Sequence, residues 1–194
     1  MKIIFLSIFV FLIDQLSKLL VRGFNLPWFS FNHNGFDLGE TKQVINNLFH
    51  ITLVENPGIA FGIVPGDFLK ELIIILTIFL CLGFVVFLLY AKNSDWKIRI
   101  SVGLILAGAA GNLFDRIFYG YLYGYAPLFK GKVVDFIDLQ FIKLFTMSGV
   151  TGNYVFNFAD LSIICGVVFL IYIILKYKTE KQDINKIRQF IEER

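Results

Sequence analysis

The chain has 194 residues, 57% of them hydrophobic and only 17% charged, with a formal net charge of +3. Soluble domains carry about 25% charged residues. Here the apolar residues come in long runs, with a mean hydropathy of +0.71, which excludes an ordinary soluble domain and predicts a multi-pass membrane protein. The small net charge gives no reason to invoke nucleic acid.

The first apolar run extends roughly from Ile3 to Arg22 and is interrupted by Asp14 and Lys18. It follows Met1-Lys2 as a signal peptide would, but the two internal charges and the lack of a small-x-small cleavage site predict a retained span. Asp14 and Lys18 stand four residues apart with the acid first, the favourable order for a helical ion pair. Such a pair either neutralises a polar turn within the membrane or faces a substrate. Residues 23–68 then form an outer segment. Within it, Leu48-Phe49-His50-Ile51-Thr52-Leu53 alternates as a strand does, Asn56-Pro57-Gly58 reads as a turn, and Ile59-Ala60-Phe61-Gly62-Ile63 predicts a returning strand. Asn56 beside the turn is placed to hydrogen-bond an extended peptide. His33 and His50 lie far from any Cys-rich or His-rich cluster and read as loop or strand residues.

The second span covers about Leu69 to Ala91, the third about Ile98 to Tyr119 and the fourth about Ala159 to Tyr177. Each is near the ~20 residues that cross a hydrocarbon core. Cys81 and Cys165 fall inside apolar segments and read as membrane-buried free thiols, and no metal-ligand spacing is present. Residues 120–158 form a second outer segment. There Val133-Val134-Asp135-Phe136-Ile137-Asp138-Leu139 predicts a third strand, and Phe141, Ile142, Leu144 and Phe145 fit one face of a short interfacial helix. The fold class expected is therefore a membrane all-α, four-transmembrane-helix bundle with a small β-rich extracytoplasmic cap. Residues 1–178 form the membrane domain, with the cap from about 23–68 and 120–158. Residues 179–194 form a charged cytoplasmic tail, read as a solvated helix. The sequence has no internal repeat and no low-complexity tract.

Lys92, Lys97 and Arg99 flank the link between spans two and three, with Asp95 the one acid there. The C-terminal region carries Lys176, Lys178, Lys181, Lys186, Arg188 and Arg194, whereas residues 23–68 contain only Lys42. The positive-inside rule then places both termini and the short link in the cytoplasm, and both long segments outside.

Two motifs place acids at helix ends: Gly111-Asn112-Leu113-Phe114-Asp115-Arg116 and Phe156-Asn157-Phe158-Ala159-Asp160. An ionisable group at membrane depth costs about 2.5–3.5 kcal/mol on insertion scales, so it is read as functional by default. At 1.5 Å per residue, Asp115 lies about 26 Å above Ile98, and Asp160 about 24 Å above Lys176. Both carboxylates are thus expected near the outer boundary of the hydrocarbon. Asn112, Asp115 and Arg116 share a helix face, and Arg116 suits either a lipid phosphate or an acid. Two carboxylates in close contact share a proton, so one can act as base and the other as acid. Residue types alone leave three readings open: helix caps or structural ion pairs, proton or ion transport, and catalysis.

The ordered motifs carry a resemblance. Asp14-Gln15-Leu16-Ser17-Lys18, Asn56-Pro57-Gly58-Ile59-Ala60-Phe61-Gly62, Gly111–Arg116, Val133-Val134-Asp135-Phe136 and Phe156–Asp160 resemble, in sequence, five blocks of the lipoprotein signal peptidase (signal peptidase II) family, the bacterial membrane aspartic peptidases. The resemblance spans nearly the whole chain. It implies an aspartic endopeptidase that trims diacylglyceryl-modified prolipoproteins just before the lipidated lipobox Cys. It implies Asp115 and Asp160 as the catalytic pair. It further implies Asp14, Lys18, Asn56, Gly58, Asn112, Arg116, Asp135, Asn157 and Ala159 as substrate-binding or supporting residues, with no metal and no cofactor. Implied partners are the prolipoprotein substrates, membrane lipids and globomycin-type cyclic peptide inhibitors, with no nucleic acid. The implied location is the bacterial cytoplasmic (inner) membrane, with the active site near its outer face. Asn32–Asn46 and Gln140–Asn153 look longer than the family's usual outer loops, and Pro57 and Ile59 sit where small or polar residues are common.

Overall fold

The computed structural model describes residues 2–26, 30–46, 48–58, 66–140 and 155–192. Four long helices dominate them: α1 (Lys2–Arg22), α2 (Asp67–Tyr90), α3 (Trp96–Phe114) and α5 (Phe158–Glu192). Among the described residues four helical stretches are long and apolar enough to cross a membrane: Lys2–Arg22, Phe68–Tyr90, Trp96–Leu122 and Phe158–Gln182. The protein is a membrane-spanning four-helix structure with small antiparallel sheets, as expected. The last span and the tail, expected as a separate solvated helix, form one continuous helix. It runs without a break past Lys178, because nothing between Tyr177 and Glu192 is a helix breaker.

The third span passes from α3 into a π-helical turn, Asp115–Tyr119, and then into the short α4 (Gly120–Leu122). π-turns are rare and concentrate at functional sites. Small residues let the helices of the bundle approach. A Cβ on Gly108 of α3 would collide with the Ala159 carbonyl of α5, and one on Gly111 would strike the Asp14 carboxylate of α1. In a bilayer, where apolar burial gives helices no reason to associate, such close packing supplies the attraction. The outward faces remain apolar: Phe5, Phe9, Phe79 and Leu80 are all exposed in the isolated chain, which suits acyl chains and accounts for part of the 23 phenylalanines.

The cap holds more strands than the alternation predicts. β1 (Phe24–Leu26) and β2 (Phe31–His33) form a small hairpin. β3 (Thr41–Ile45), β4 (Phe49–Asn56), β5 (Val133–Leu139) and β6 (Val155–Phe156) form an antiparallel sheet in that order. β3 is exposed along its whole length, so it lacks the apolar/polar alternation that would reveal it. Gly23 closes α1 with φ +85° and its N–H on the Leu19 carbonyl at 2.9 Å, a left-handed helix stop that glycine adopts without strain. β5 is buried from Val133 to Asp138 because it is an inner strand of the sheet. Val134, Phe136 and Ile137 join Leu53, Val21 and Tyr119 in the core beneath it. The expected strand at Ile59–Ile63 and the expected interfacial helix at Phe141–Phe145 lie outside the described residues. Cys81 and Cys165 are free thiols on α2 and α5, His33 lies in β2 and His50 in β4.

Candidate active site

Two polar networks meet where α1, α3, α5 and β5 converge. The inner one centres on Lys18, which is fully buried. Its ammonium lies 2.8 Å from Asp14 and 2.8 Å from Asp115, and donates to Asn112 Oδ1 at 3.0 Å. Gln15 Nε2 donates to Asp115 Oδ1 at 3.0 Å, and Gln15 Oε1 accepts the Tyr119 hydroxyl at 3.1 Å. Asp14 Oδ1 accepts the Ala159 N–H at 2.8 Å, a carboxylate set against the positive end of α5. Burying charge is costly unless every member is paired, and here one ammonium faces two carboxylates whose remaining oxygens take N–H donors. Asp14 and Lys18 therefore do more than neutralise each other: they tie α1 to α3 and α5.

The outer network is built on the start of α5. Asn157 Oδ1 accepts the Asp160 N–H at 2.9 Å, while Asp160 Oδ2 accepts the Asn157 N–H at 3.2 Å. This reciprocal arrangement is a capping box with Asn and Asp in place of the usual Ser/Thr and Glu. The Asn157 side-chain amide donates to Asp135 Oδ1 at 2.7 Å and to Asn112 Oδ1 at 3.0 Å. Asn112 Nδ2 donates to Asp160 Oδ1 at 2.8 Å, and Asn56 Nδ2 donates to Asp135 Oδ2 at 3.2 Å. Asn56 Oδ1 in turn accepts the Gly58 N–H at 3.0 Å, and the Gly58 carbonyl accepts Arg116 Nη2 at 3.4 Å. Burial first, and then the charge of Asp160, push the Asp135 carboxyl up to about 7. Asp160 stays partly accessible while Asp135 is buried.

This geometry corrects the expected pairing. Asp115 was expected opposite Asp160, but it is sealed from solvent and paired with Lys18, which it shares with Asp14. The bonds that join it to Asp160 run through Lys18 and Asn112. The carboxylate that shares Asn157 with Asp160 is Asp135, which the sequence reading placed among the supporting residues. Its sequence signal was weak, because β5 carries two buried acids, Asp135 and Asp138, among apolar residues. Asn56, Gly58, Asn112, Arg116, Asn157 and Ala159 all gather at the site; Asp14 and Lys18 form its inner support. Gln15, part of the first motif block but not expected at the site, and Tyr119, which lies in none of the motifs, complete that support. Among the described residues no group of three or more His, Cys, Asp or Glu side chains is placed to hold a metal ion. Chemically, the arrangement is one partly accessible carboxylate beside a buried one whose carboxyl is pushed up to about 7, at the cap end of the bundle.

The family model described as signal peptidase (SPase) II matches residues 6–176. The lipoprotein signal peptidase of Desulfitobacterium hafniense (strain DSM 10664 / DCB-2) is 36% identical over 166 residues, covering 86% of this chain and 87% of its own. That of Moorella thermoacetica (strain ATCC 39073 / JCM 9320) is 31% identical over 175 residues, covering 90% and 93%. A solved bacterial membrane enzyme, determined by the in meso method at 2.3 Å resolution, superimposes with a TM-score of 0.69 at 27% identity, covering 93% of this chain and 91% of the other.

Proposed function

The chain belongs to the signal peptidase II family, and from that premise we propose that it cuts signal peptides from diacylglyceryl-modified prolipoproteins, just before the lipidated Cys, with Asp135 and Asp160 as its acid–base pair. The observation that carries this reading is the shared hold of Asn157 on both carboxylates, 2.7 Å to Asp135 and 3.2 Å to Asp160. Both termini lie in the cytoplasm and the site lies at the outer face of the bacterial inner membrane, where the lipidated cleavage point of the substrate sits.

The proposed steps follow from the environments of the two acids. Asp160, ionised, takes a proton from water as its oxygen attacks the carbonyl carbon before the Cys. Asp135 gives its proton to the carbonyl oxygen, forming a gem-diol. Asp160 then protonates the leaving amine nitrogen, the C–N bond breaks, and Asp135 recovers a proton from the collapsing diol. Asn112 Nδ2 and the Asn157 backbone N–H hold Asp160 in place, at 2.8 Å and 3.2 Å. The turn at Asn56-Pro57-Gly58 continues β4 and offers backbone groups to an extended peptide, which strand-like pairing would hold.

Cleavage of a purified diacylglyceryl prolipoprotein in detergent tests the proposal. Wild type should release a signal-peptide-sized fragment, blocked by globomycin. Asp135→Asn and Asp160→Asn should not, although each inserts and folds. Normal cleavage by either variant would remove that residue from the pair.

A further inference from the structure

A cavity of about 90 Å³ opens beside the site, lined by Gly58, Lys70, Ile73, Arg116, Lys130 and Lys132 among others. Four cations on so small a space need an explanation. Lys130 stands 2.9 Å from Glu71, and Lys132 stands 3.1 Å from Glu55, which also holds Arg22 at 2.7 Å. Arg116 reaches the carbonyls of Gly58 and Asn112, each at 3.4 Å. The Lys70 ammonium has no hydrogen-bond or ion-pair partner among the described residues.

The placement of these lysines runs against the topology signal. Lys70 is in the first turn of α2, and Lys130 and Lys132 precede β5. They stand at the cap end of the bundle, opposite Lys92 and Lys97, whereas Lys and Arg usually gather on the cytoplasmic side. Basic pockets at the ends of membrane helices bind lipid headgroups.

We propose that this cavity holds the phosphate of a membrane phospholipid, with the acyl chains running down beside α2. The volume admits a small group such as a tetrahedral oxyanion. Ile73, Ile74 and Phe129 give part of its wall an apolar character, as an amphiphile at the headgroup level requires. Lys and Arg donors on phosphate oxygens form the stronger, charge-assisted class of hydrogen bond. A phosphate here would also steady Arg116, and through it the Gly58 carbonyl beside Asn56. The diacylglyceryl substrate carries no phosphate, so this ligand is distinct from the substrate lipid. The binding claim stands apart from the peptidase reading, and its test uses no cleavage.

The full chain, delipidated in an uncharged detergent, is melted with increasing phosphatidylglycerol, diacylglycerol or inorganic phosphate. Phosphatidylglycerol should raise the Tm in a saturable way, and diacylglycerol, which has the chains without the phosphate, should not. An equal rise with inorganic phosphate would support the same anion chemistry with a free ion as its source. Lys70→Gln and Lys132→Gln should each weaken apparent affinity about tenfold or more, while Lys70→Arg retains it. No shift with phosphatidylglycerol, an equal shift with diacylglycerol, or unchanged affinity in both glutamine variants would overturn the proposal. Should a glutamine variant fail to fold, the comparison of phosphatidylglycerol with diacylglycerol on wild type and Lys70→Arg decides it.

Discussion

Lys18 donates to Asn112 Oδ1 at 3.0 Å, and that bond sets the direction of the Asn112 amide. The same oxygen accepts the Asn157 side chain at 3.0 Å. With two donors on Oδ1, the Nδ2 group is left to face Asp160, which it meets at 2.8 Å. A buried ammonium on α1 thereby orients the donor that holds an accessible carboxylate on α5.

The inner network should behave as one unit in stability. Removing one partner of a buried ion pair costs about 3–5 kcal/mol, because the other charge is stranded. Lys18→Met and Asp115→Leu should each lower stability by that order, and the double variant should cost less than their sum by about 0.5–3 kcal/mol. Denaturant melts in detergent measure the cycle, and strict additivity would contradict it.

Asp115→Asn separates the two pairings directly. Its side chain can still accept from Gln15 and Lys18, so the expected loss is in stability. The rate per folded molecule should remain measurable, whereas Asp135→Asn and Asp160→Asn should each lose about 10²–10⁴-fold, the range that general acid–base groups contribute. Single-turnover cleavage normalised to folded protein distinguishes these outcomes.

Asn157→Ala removes a helix cap and the shared hold on both acids. The cap alone is worth about 0.5–2 kcal/mol, so the variant should fold. Its kcat should fall by more than a cap of that size explains while the Tm drops modestly. A stability loss with kcat intact would reduce Asn157 to a structural cap.

The pH profile follows from Asp135. Its carboxyl is pushed up to about 7 by burial and by Asp160, and the acid must carry its proton to donate it. Activity should therefore hold below pH 7 and fall above it, by about tenfold per unit for loss of one proton. The limb belongs to the coupled pair and not to one residue. Initial rates between pH 5 and 9 check this, and a flat profile through pH 9 would exclude Asp135 as the acid.

Gly108 tests the α3–α5 crossing. A Cβ there meets the Ala159 carbonyl, one residue from Asp160. Gly108→Val should destabilise by about 1–3 kcal/mol, the usual cost of overpacking. It should also reduce cleavage by displacing the start of α5. A thermal melt and a rate measurement on the same preparation report both effects.

The sequence by itself determined the frame. Four apolar runs of spanning length, the β4 alternation and the Asn157-x-x-Asp160 helix start are local features, each specified by neighbouring residues. The Asp14–Lys18 pair was legible for the same reason, as an i,i+4 spacing. The strands β1, β2 and β3 were not, because short or exposed strands carry no alternating burial to read. Tertiary structure alone decided which carboxylates meet. Asp115 and Asp160 have the same estimated depth and lie in two matched motifs, which suggested that they would join. The fold instead brings Lys18, ninety-odd residues earlier in the chain, to pair with Asp115, and swings β5 past the end of α3 so that Asp135 reaches Asn157. Pairings of that kind depend on how distant segments pack around a small set of glycines, and no local pattern encodes them.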